Sequence, residues 1–417
     1  GAVWAPCIGP TLGAASLLAS QGKDLGAATA VMTAFGVGAA LPLALVGSLS
    51  RQALMRWRAR LMQAGGAGKS ILLDAVGLLL AELLEGHDRS KYEIYAYDFS
   101  LEDGTPHRQR LKKAIDNIRF VHGLTDRQVA EVVVYDEIDV LIDLHGLSAG
   151  ARPGIFALHP APLQGTYLGF IGTTGMPWFD FVVTDAKAFP VELETYFAEK
   201  PLRLTSSFIP LTPDTDQPLT VKRETYGLPT DGFVMAAFGN SYKFTPELFS
   251  VWLDILNDIP QAVLWLVDDN PATTANLKAF IYRSGADFDR IVFTPRAHYD
   301  EYKQRLKLAD VFLDTFPYNC GSTTNDVVQA GLPMVTLYGR TMVSRMGLSI
   351  LSSMDLAHFC TDNTTDYKSR VREIAALSVT DTKALREKIR HASFKPSHLS
   401  QELEGLIEGL MKDKAKQ

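Results

Sequence analysis

The residues best suited to chemistry sit in short loops that follow apolar runs. The densest is Thr315-Phe-Pro-Tyr-Asn-Cys-Gly321-Ser322-Thr323-Thr324-Asn-Asp326. Gly321 allows close backbone approach, and Ser322, Thr323 and Thr324 open the next helix. A helix N-terminus offers N–H donors that no helical carbonyl satisfies, a natural seat for a diphosphate. Asp326 lies in the first turn, where its carboxylate could accept from a ribose hydroxyl. The plainer alternative is a helix cap, because Ser and Thr are standard caps. A second loop, Gly239-Asn240-Ser241-Tyr242-Lys243, supplies a cation that could neutralise a departing diphosphate without a metal; the plainer alternative is a solvated surface lysine. In a third loop, 294–302, backbone near Ala297 could read a base, beside Tyr302, and Arg305 one turn on could reach phosphate. A surface helix start explains that loop equally well.

Two further loops stand earlier in the chain. His145-Gly-Leu-Ser-Ala-Gly150 offers an acid–base imidazole, and Gly172-Thr173-Thr174-Gly175 follows the Pro- and Gly-rich stretch 160–169, read as irregular loop. A lone loop histidine is more often neither ligand nor catalyst. Asp268-Asp269 lies outside any recognisable ligand cluster, so no metal site is expected. No Walker or GxGxxG fingerprint is present.

The elements that must position these loops alternate between strand and helix. Residues 92–97, 139–144 and 181–184 read as strands and 108–117 as a helix. After a Pro-rich linker, 210–218, the pattern restarts. Strands are expected at 233–238, 263–267, 290–293, 311–314 and 333–337, with helices at 246–259, 272–284, 300–307 and 324–330. Short apolar strands separated by helical lengths imply parallel sheets covered on both faces. The expected fold is α/β, with two doubly wound domains facing a cleft, a preferred place for a ligand. The boundaries drawn are 1–68, 69–212 and 213–417.

The first seventy residues differ in kind. They hold six basic residues (Lys23, Arg51, Arg56, Arg58, Arg60, Lys69) and one acid, Asp24, a net of +5. Removing these from the totals of 41 basic and 47 acidic residues leaves 35 and 46, a net of −11 for 71–417. Residues 1–22 and 25–50 carry no charge, and a bilayer-spanning helix needs about 20 mostly apolar residues. A transmembrane hairpin through residues 1–49 is expected; a buried Ala-rich hairpin in a soluble protein is the alternative. The arginines at 51–60 place the following chain in the cytoplasm by the positive-inside rule, with the hairpin in the inner membrane. The chain opens on Gly1, so a fragment or a processed product is expected. Three cysteines (Cys7, Cys320, Cys360) exclude a disulfide framework, and the acidic balance argues against nucleic acid as a partner.

Two resemblances follow. Trp4-Ala-Pro-Cys7-Ile-Gly-Pro10-Thr-Leu-Gly13, with Phe35-Gly-Val-Gly38-Ala-Ala-Leu-Pro42, resembles the transmembrane thiol-relay proteins of cytochrome c biogenesis. Cys7 matches one of that family's two membrane cysteines, and residues 1–68 contain no second one. A relay needs two thiols to exchange, so an anchor is the expected role. The second resemblance covers about 75–410. His145-Gly-Leu-Ser-Ala-Gly-Ala-Arg152, Pro160-Ala-Pro-Leu-Gln164, Leu168-Gly-Phe-Ile-Gly-Thr-Thr-Gly175, Asn240-Ser-Tyr-Lys243, Leu308-Ala-Asp-Val-Phe-Leu-Asp-Thr315 and Gly321-Ser-Thr-Thr-Asn-Asp326 together resemble the catalytic region of O-linked N-acetylglucosamine transferases and their SPINDLY-type relatives.

That resemblance implies a GT-B fold and inverting, metal-independent transfer from UDP-N-acetylglucosamine to protein Ser or Thr, with no cofactor. It implies that Lys243 stabilises the leaving diphosphate. It places Asn240, Ala297, Tyr302 and Arg305 around the nucleotide, Gly321, Ser322, Thr323 and Thr324 on the phosphates, and Asp326 on the ribose. His145, Gly172, Thr173 and Thr174 fall on the acceptor side. Gly321 departs from the family's histidine, Tyr299 from a nucleotide-binding lysine, and His159 from an arginine. The family's helical repeats are missing from this sequence. Its first strand and a His-containing loop are expected to be lost where the membrane segment meets Ser70-Ile-Leu-Leu-Asp74, which would expose a sheet edge. Alternatives to the membrane-tethered transferase are fucosyl transfer from a GDP-sugar and an inactive pseudoenzyme or fusion fragment.

Overall fold

The computed structural model describes residues 79–100, 104–148, 150–211, 218–391, 396–414 and 416. All belong to a compact unit spanning Leu72–Gln417, and the preceding unit, Gly1–Ile71, has no described residues. The expected membrane hairpin and the junction at 70–74 therefore lie outside the described residues. Among the described residues, no helix is long and apolar enough to cross a membrane.

The first lobe starts with a helix over 79–85 (α1), whose Leu79, Leu80 and Leu83 are buried. Then follow β1 (Tyr95–Asp98), α2 (Pro106–Ala114), β2 (Asn117–Phe120), α3 (Asp126–Tyr135), β3 (Val140–Asp143), α4 (Pro153–Phe156), β4 (Leu163–Thr166), β5 (Phe181–Asp185) and β6 (Lys200–Leu204). The strands pair in parallel as two sheets, β1-β2 and β3-β4-β5-β6. Every residue of β5 is buried, as its unbroken Phe-Val-Val run requires in a sheet covered on both faces. A capping box between Thr125 and Gln128 starts α3. Its Val129, Ala130 and Val133 then form one buried stripe.

The stretch 160–169, read from its prolines and glycines as irregular, contains β4. Gly165 is there because the Phe181 ring of the neighbouring strand occupies the space a Cβ would need. A glycine inside a strand marks such a close approach as often as a turn.

The second lobe contains β7 (Phe233–Ala237), α5 (Pro246–Asp258), β8 (Ala262–Asp268), α6 (Pro271–Ser284), β9 (Ile291–Pro295), α7 (Tyr299–Leu308), β10 (Val311–Leu313), α8 (Ser322–Gln329), β11 (Met334–Leu337), α9 (Met346–Ser353), β12 (Cys360–Thr361), α10 (Thr364–Ala375) and α11 (Val379–His391). Its parallel sheet has the order β12-β11-β10-β7-β8-β9. The chain winds outward from β7 through β8 to β9, then returns to the other side of β7 at β10. That reversal is a topological switch point, and the crevice lies beyond the carboxyl ends of β7 and β10.

The last helix, α12 (Pro396–Lys414), packs on the first lobe. Ser400 Oγ donates to the Leu83 carbonyl at 2.6 Å, and Lys414 Nζ reaches the Pro162 carbonyl (2.6 Å) and Asp180 (2.9 Å). The strands of the first lobe end at Leu204 and those of the second begin at Phe233, while the chain's final helix crosses back. The lobes also meet at a buried carboxylate. Asp185, ending β5, accepts from Ser349 Oγ of α9 at 2.6 Å and from Phe208 N at 2.9 Å, and Ser349 Oγ lies 2.7 Å from Ser207 Oγ.

Candidate functional site

Two of the loops singled out above flank the switch point. From β7 the chain passes Gly239, where a Cβ would lie 3.0 Å from Thr315 Cγ2 and 3.2 Å from Cys320 Sγ. A side chain there would press the two loops apart by a few tenths of an ångström. A single 3-10 turn, Ser241–Lys243, follows, and Thr245 caps α5 by accepting from Leu248 N at 3.2 Å. The turn aims the half-buried Lys243 at the facing loop. Its Nζ donates to the Asn319 carbonyl at 3.0 Å and stands 3.9 Å from the centre of the Tyr318 ring.

That facing loop leads directly into α8. Gly321 is the N-cap residue and contributes no capping side chain. Ser322 and Thr323 lie inside the first turn, so the reading of these residues as an ordinary cap does not hold. The N-cap residue of α8 comes two residues after the Asn319 carbonyl that holds the ammonium, so a helix N-terminus and a cation stand on one loop. Thr324 is buried and its Oγ1 donates to the Cys320 carbonyl at 2.7 Å, a brace for the turn. The Cys320 thiol is buried and pushed up to about 12, which keeps it protonated and unreactive.

One turn along α8, Asp326 accepts from the Tyr299 hydroxyl at 2.7 Å. Burial pushes its carboxyl up to about 7, opposed by that hydrogen bond and by the Lys303 charge. Tyr302, behind Tyr299 with ring centres 6.3 Å apart, is raised well above the ordinary phenol by burial. Tyr299 and Asp326 therefore act as a pair.

Asn240, in the loop after β7, is tied to the neighbouring edge beyond β8 and β9, where Ala297 follows β9 and Arg305 lies in α7. Arg296 donates to Asp269 at 2.6 Å and to Asn240 Oδ1 at 2.8 Å, while Ser241 Oγ donates to Asp269 at 2.9 Å. The Arg296 hydrogen bond holds the Asp269 carboxyl below its usual range. Asp269 and Asn240 thus form one bridged network, while Thr274 Oγ1 donates to Asp268 at 2.5 Å. Among the described residues no cluster of three His, Cys, Asp or Glu could hold a metal ion. Arg305 is turned inward: Nη1 donates to the Pro295 carbonyl at 2.6 Å, Nη2 to Glu301 at 2.7 Å, and the guanidinium lies 4.7 Å from the Tyr226 ring centre. It braces the loop that carries Ala297, and its donors are directed at protein.

The first-lobe residues form a separate group. Asp143 at the end of β3 accepts from His145 N (2.8 Å) and Gly146 N (3.0 Å), which bends the chain into the loop. The His145 ring packs against Phe99 with centres 5.1 Å apart, and its buried Nδ1 has no hydrogen-bond partner. Burial lowers the imidazole below its ordinary range, against the Asp143 charge, so it is neutral near pH 7. The 172–174 loop is gathered by a residue the sequence did not flag. The buried Glu199 accepts from Thr173 Oγ1 (2.7 Å), Thr174 N (2.7 Å) and Thr174 Oγ1 (2.6 Å). Gly172 lies beside Phe170, whose ring a Cβ there would meet at 3.3 Å.

A two-lobed parallel α/β architecture, with a cation beside a bare helix start at a switch point, defines the class of doubly wound α/β folds, whose ligand crevice lies beyond the carboxyl ends of the strands. The particular family follows from comparison: the chain belongs to glycosyl transferase family 41, whose model matches residues 76–211 and 212–402. Over 318 residues it is 33% identical to the probable UDP-N-acetylglucosamine–peptide N-acetylglucosaminyltransferase SEC of Arabidopsis thaliana, covering 75% of this chain and 32% of that protein. The Arabidopsis protein of the same description named SPINDLY is 29% identical, covering 76% of this chain and 35% of its own length. This chain therefore spans about a third of the curated relatives it matches. Among solved structures, a mutant of the Thermobaculum terrenum O-GlcNAc transferase superposes with a TM-score of 0.75 at 29% identity, covering 82% of this chain and 66% of that one.

Proposed function

We propose that this chain transfers N-acetylglucosamine from UDP-N-acetylglucosamine to serine or threonine hydroxyls of proteins, with inversion and without a metal. The observation that carries the proposal is the Lys243 ammonium held on the Asn319 carbonyl beside the start of α8. The acceptor hydroxyl oxygen forms a bond to the anomeric carbon from the face opposite the diphosphate, and its proton passes to solvent. The bond from that carbon to the phosphate oxygen breaks, and charge develops on the leaving UDP. Lys243 and the N–H groups of Gly321 to Thr323 meet that charge, as preorganised donors do most effectively in a cleft. Asp326, oriented by Tyr299, accepts from the ribose. Asn240, Ala297 and Tyr302 line the nucleoside end, and Arg305 supports them by bracing the 294–298 loop.

On the acceptor side, His145 presents a neutral imidazole, and Gly172, Thr173 and Thr174 form a loop shaped by Glu199. Residues 1–49 serve as an inner-membrane tether with the transferase lobes in the cytoplasm; their two charge-free stretches and the arginines that follow support this reading.

The test is product formation. The full chain, purified in mild detergent, is incubated with a library of Ser/Thr peptides and UDP-N-acetylglucosamine, with and without chelator. The proposal expects a peptide mass gain of one N-acetylhexosamine, insensitive to chelator. Transfer only from a GDP-sugar, or from no donor, contradicts it.

A further inference from the structure

The loop that presents Asn319 to Lys243 is folded around one buried carboxylate. Asp314, at the end of β10, is fully buried. Its Oδ1 accepts from Thr315 N and from Cys320 N, both at 2.8 Å. Its Oδ2 accepts from Thr336 Oγ1 of β11 at 2.6 Å. One oxygen therefore closes both ends of the 315–320 loop, and the other ties the closure to the next strand. The loop's remaining bonds follow from that closure. Asn319 Nδ2 donates to the Thr315 carbonyl (2.7 Å) and the Leu337 carbonyl (3.1 Å), and Thr315 Oγ1 donates to the Tyr318 carbonyl (2.5 Å). With its side chain fixed inward, Asn319 has its carbonyl turned to Lys243. A neutral amide oxygen has lone pairs for two of these donors; an ionised carboxylate accepts from all three.

We infer that Asp314 is a positioning residue for the donor site: its ionised carboxylate folds the 315–320 loop so that Lys243 and the start of α8 face one diphosphate. The inference rests on the donor reading above and adds a charge dependence to it. Several elements pack around the carboxylate. Lys243 faces it from the turn after β7, Cys320 from its own loop, Cys360 from β12 and Tyr367 from α10, whose hydroxyl donates to the Asp314 backbone carbonyl at 3.4 Å. Burial pushes both thiols up to about 12 and the phenol well above its usual range, so all three are neutral near pH 7. Lys243 is the charged group that remains among these neighbours. Gly347 of α9 leaves room for the carboxylate, since a Cβ there would lie 2.8 Å from Oδ2.

Burial raises the Asp314 carboxyl to about 6, opposed by the Thr336 and Cys320 hydrogen bonds and the Lys243 charge. Protonation near that pH turns one acceptor oxygen into a hydroxyl and removes the charge opposite Lys243. Donor affinity should therefore fall as pH drops through about 6.

The experiment measures UDP-N-acetylglucosamine binding to the full chain by calorimetry between about pH 5 and 8. The intact sugar nucleotide is used because neither of its phosphates takes up a proton there. The Asp314 limb alone is expected to lower wild-type affinity up to about tenfold by about pH 5, the fraction set by a group titrating at about 6. Asp314→Asn should bind more weakly at neutral pH and lack that limb, while the limb from Asp326 near 7 persists in both proteins. Thr336→Val removes a bond to the ionised form, so its limb should move to higher pH. Identical profiles for wild type and Asp314→Asn overturn the inference. Should Asp314→Asn show no cooperative melting, the Thr336→Val midpoint decides, and an unmoved midpoint overturns it. No binding by any form overturns the donor reading, and the inference with it.

Discussion

Replacing Lys243 with alanine separates the two contributions assigned to it. In the free protein its ammonium sits 3.0 Å from the Asn319 carbonyl and 3.9 Å from the Tyr318 ring centre, so little side-chain entropy is lost when a phosphate arrives. A hydrogen bond to a charged group contributes about 1.5–3 kcal/mol, or roughly 10- to 150-fold in affinity. Lys243 is half-buried, so solvent screening places ground-state UDP binding at the lower end, near about tenfold. The leaving diphosphate gains charge as the glycosidic bond breaks. Removing one preorganised donor to such developing charge costs about 2.7–4 kcal/mol, or roughly 100- to 1000-fold in turnover. The variant should therefore lose more in kcat than in UDP affinity. Calorimetry with UDP gives the first number, and single-turnover transfer from UDP-N-acetylglucosamine gives the second. Lys243→Arg should recover part of the affinity and little of the rate, because a longer, planar guanidinium spreads the charge that the compact ammonium concentrates at one point. A Lys243→Ala protein that binds UDP and turns over like wild type would refute the reasoning.

Three further outcomes follow from the same geometry. Asp326→Asn should weaken donor binding at neutral pH and raise thermal stability at alkaline pH. Its folded carboxyl is raised to about 7 above an unfolded value near about 4, so the fold holds the proton more tightly. Stability from this group is full below about 4, falls as pH rises toward about 7, and is flat beyond; denaturation melts across pH check it. Glu199→Gln should raise the KM for the acceptor while leaving donor affinity unchanged, because three donors of the 173–174 loop lose a charged acceptor; peptide and donor titrations separate the two. Ser349→Ala should destabilise the two-lobed unit by about 1.5–3 kcal/mol, the worth of a hydrogen bond to the buried Asp185 carboxylate. Its thermal melt checks this, and an unchanged melt would show that the lobes are not pinned there.

Much of the second lobe was legible because its strands are buried on both faces. Runs such as Phe233–Ala237 and Ala262–Asp268 carry few polar residues to confuse the pattern. Strand β4 was not legible, since Gly165 makes room for Phe181, a fact of the fold that local sequence cannot carry. The phosphate-side loops stood out because glycine and hydroxyl residues at a strand-to-helix turn have a local meaning. The side chains that hold those loops did not. Arg296 meets Asp269 across 27 positions and Asn240 across 56, and Glu199 meets Thr174 across 25. Asp314 read as the end of a strand, and its three donors come from its own loop and the next strand. Arg305 was legible as a cation near the site, but only the fold shows its donors turned onto Pro295 and Glu301.

The central claim is that a nucleotide diphosphate sits between Lys243 and the start of α8. Hydrogen exchange of the full chain, with and without UDP, locates the ligand without relying on any substitution. The account predicts slowed exchange in the segments 239–245 and 315–326, with smaller changes at 294–300 and none at the outer strands β1 and β2. Protection absent from 239–245 and 315–326, or confined to the first lobe, would contradict it.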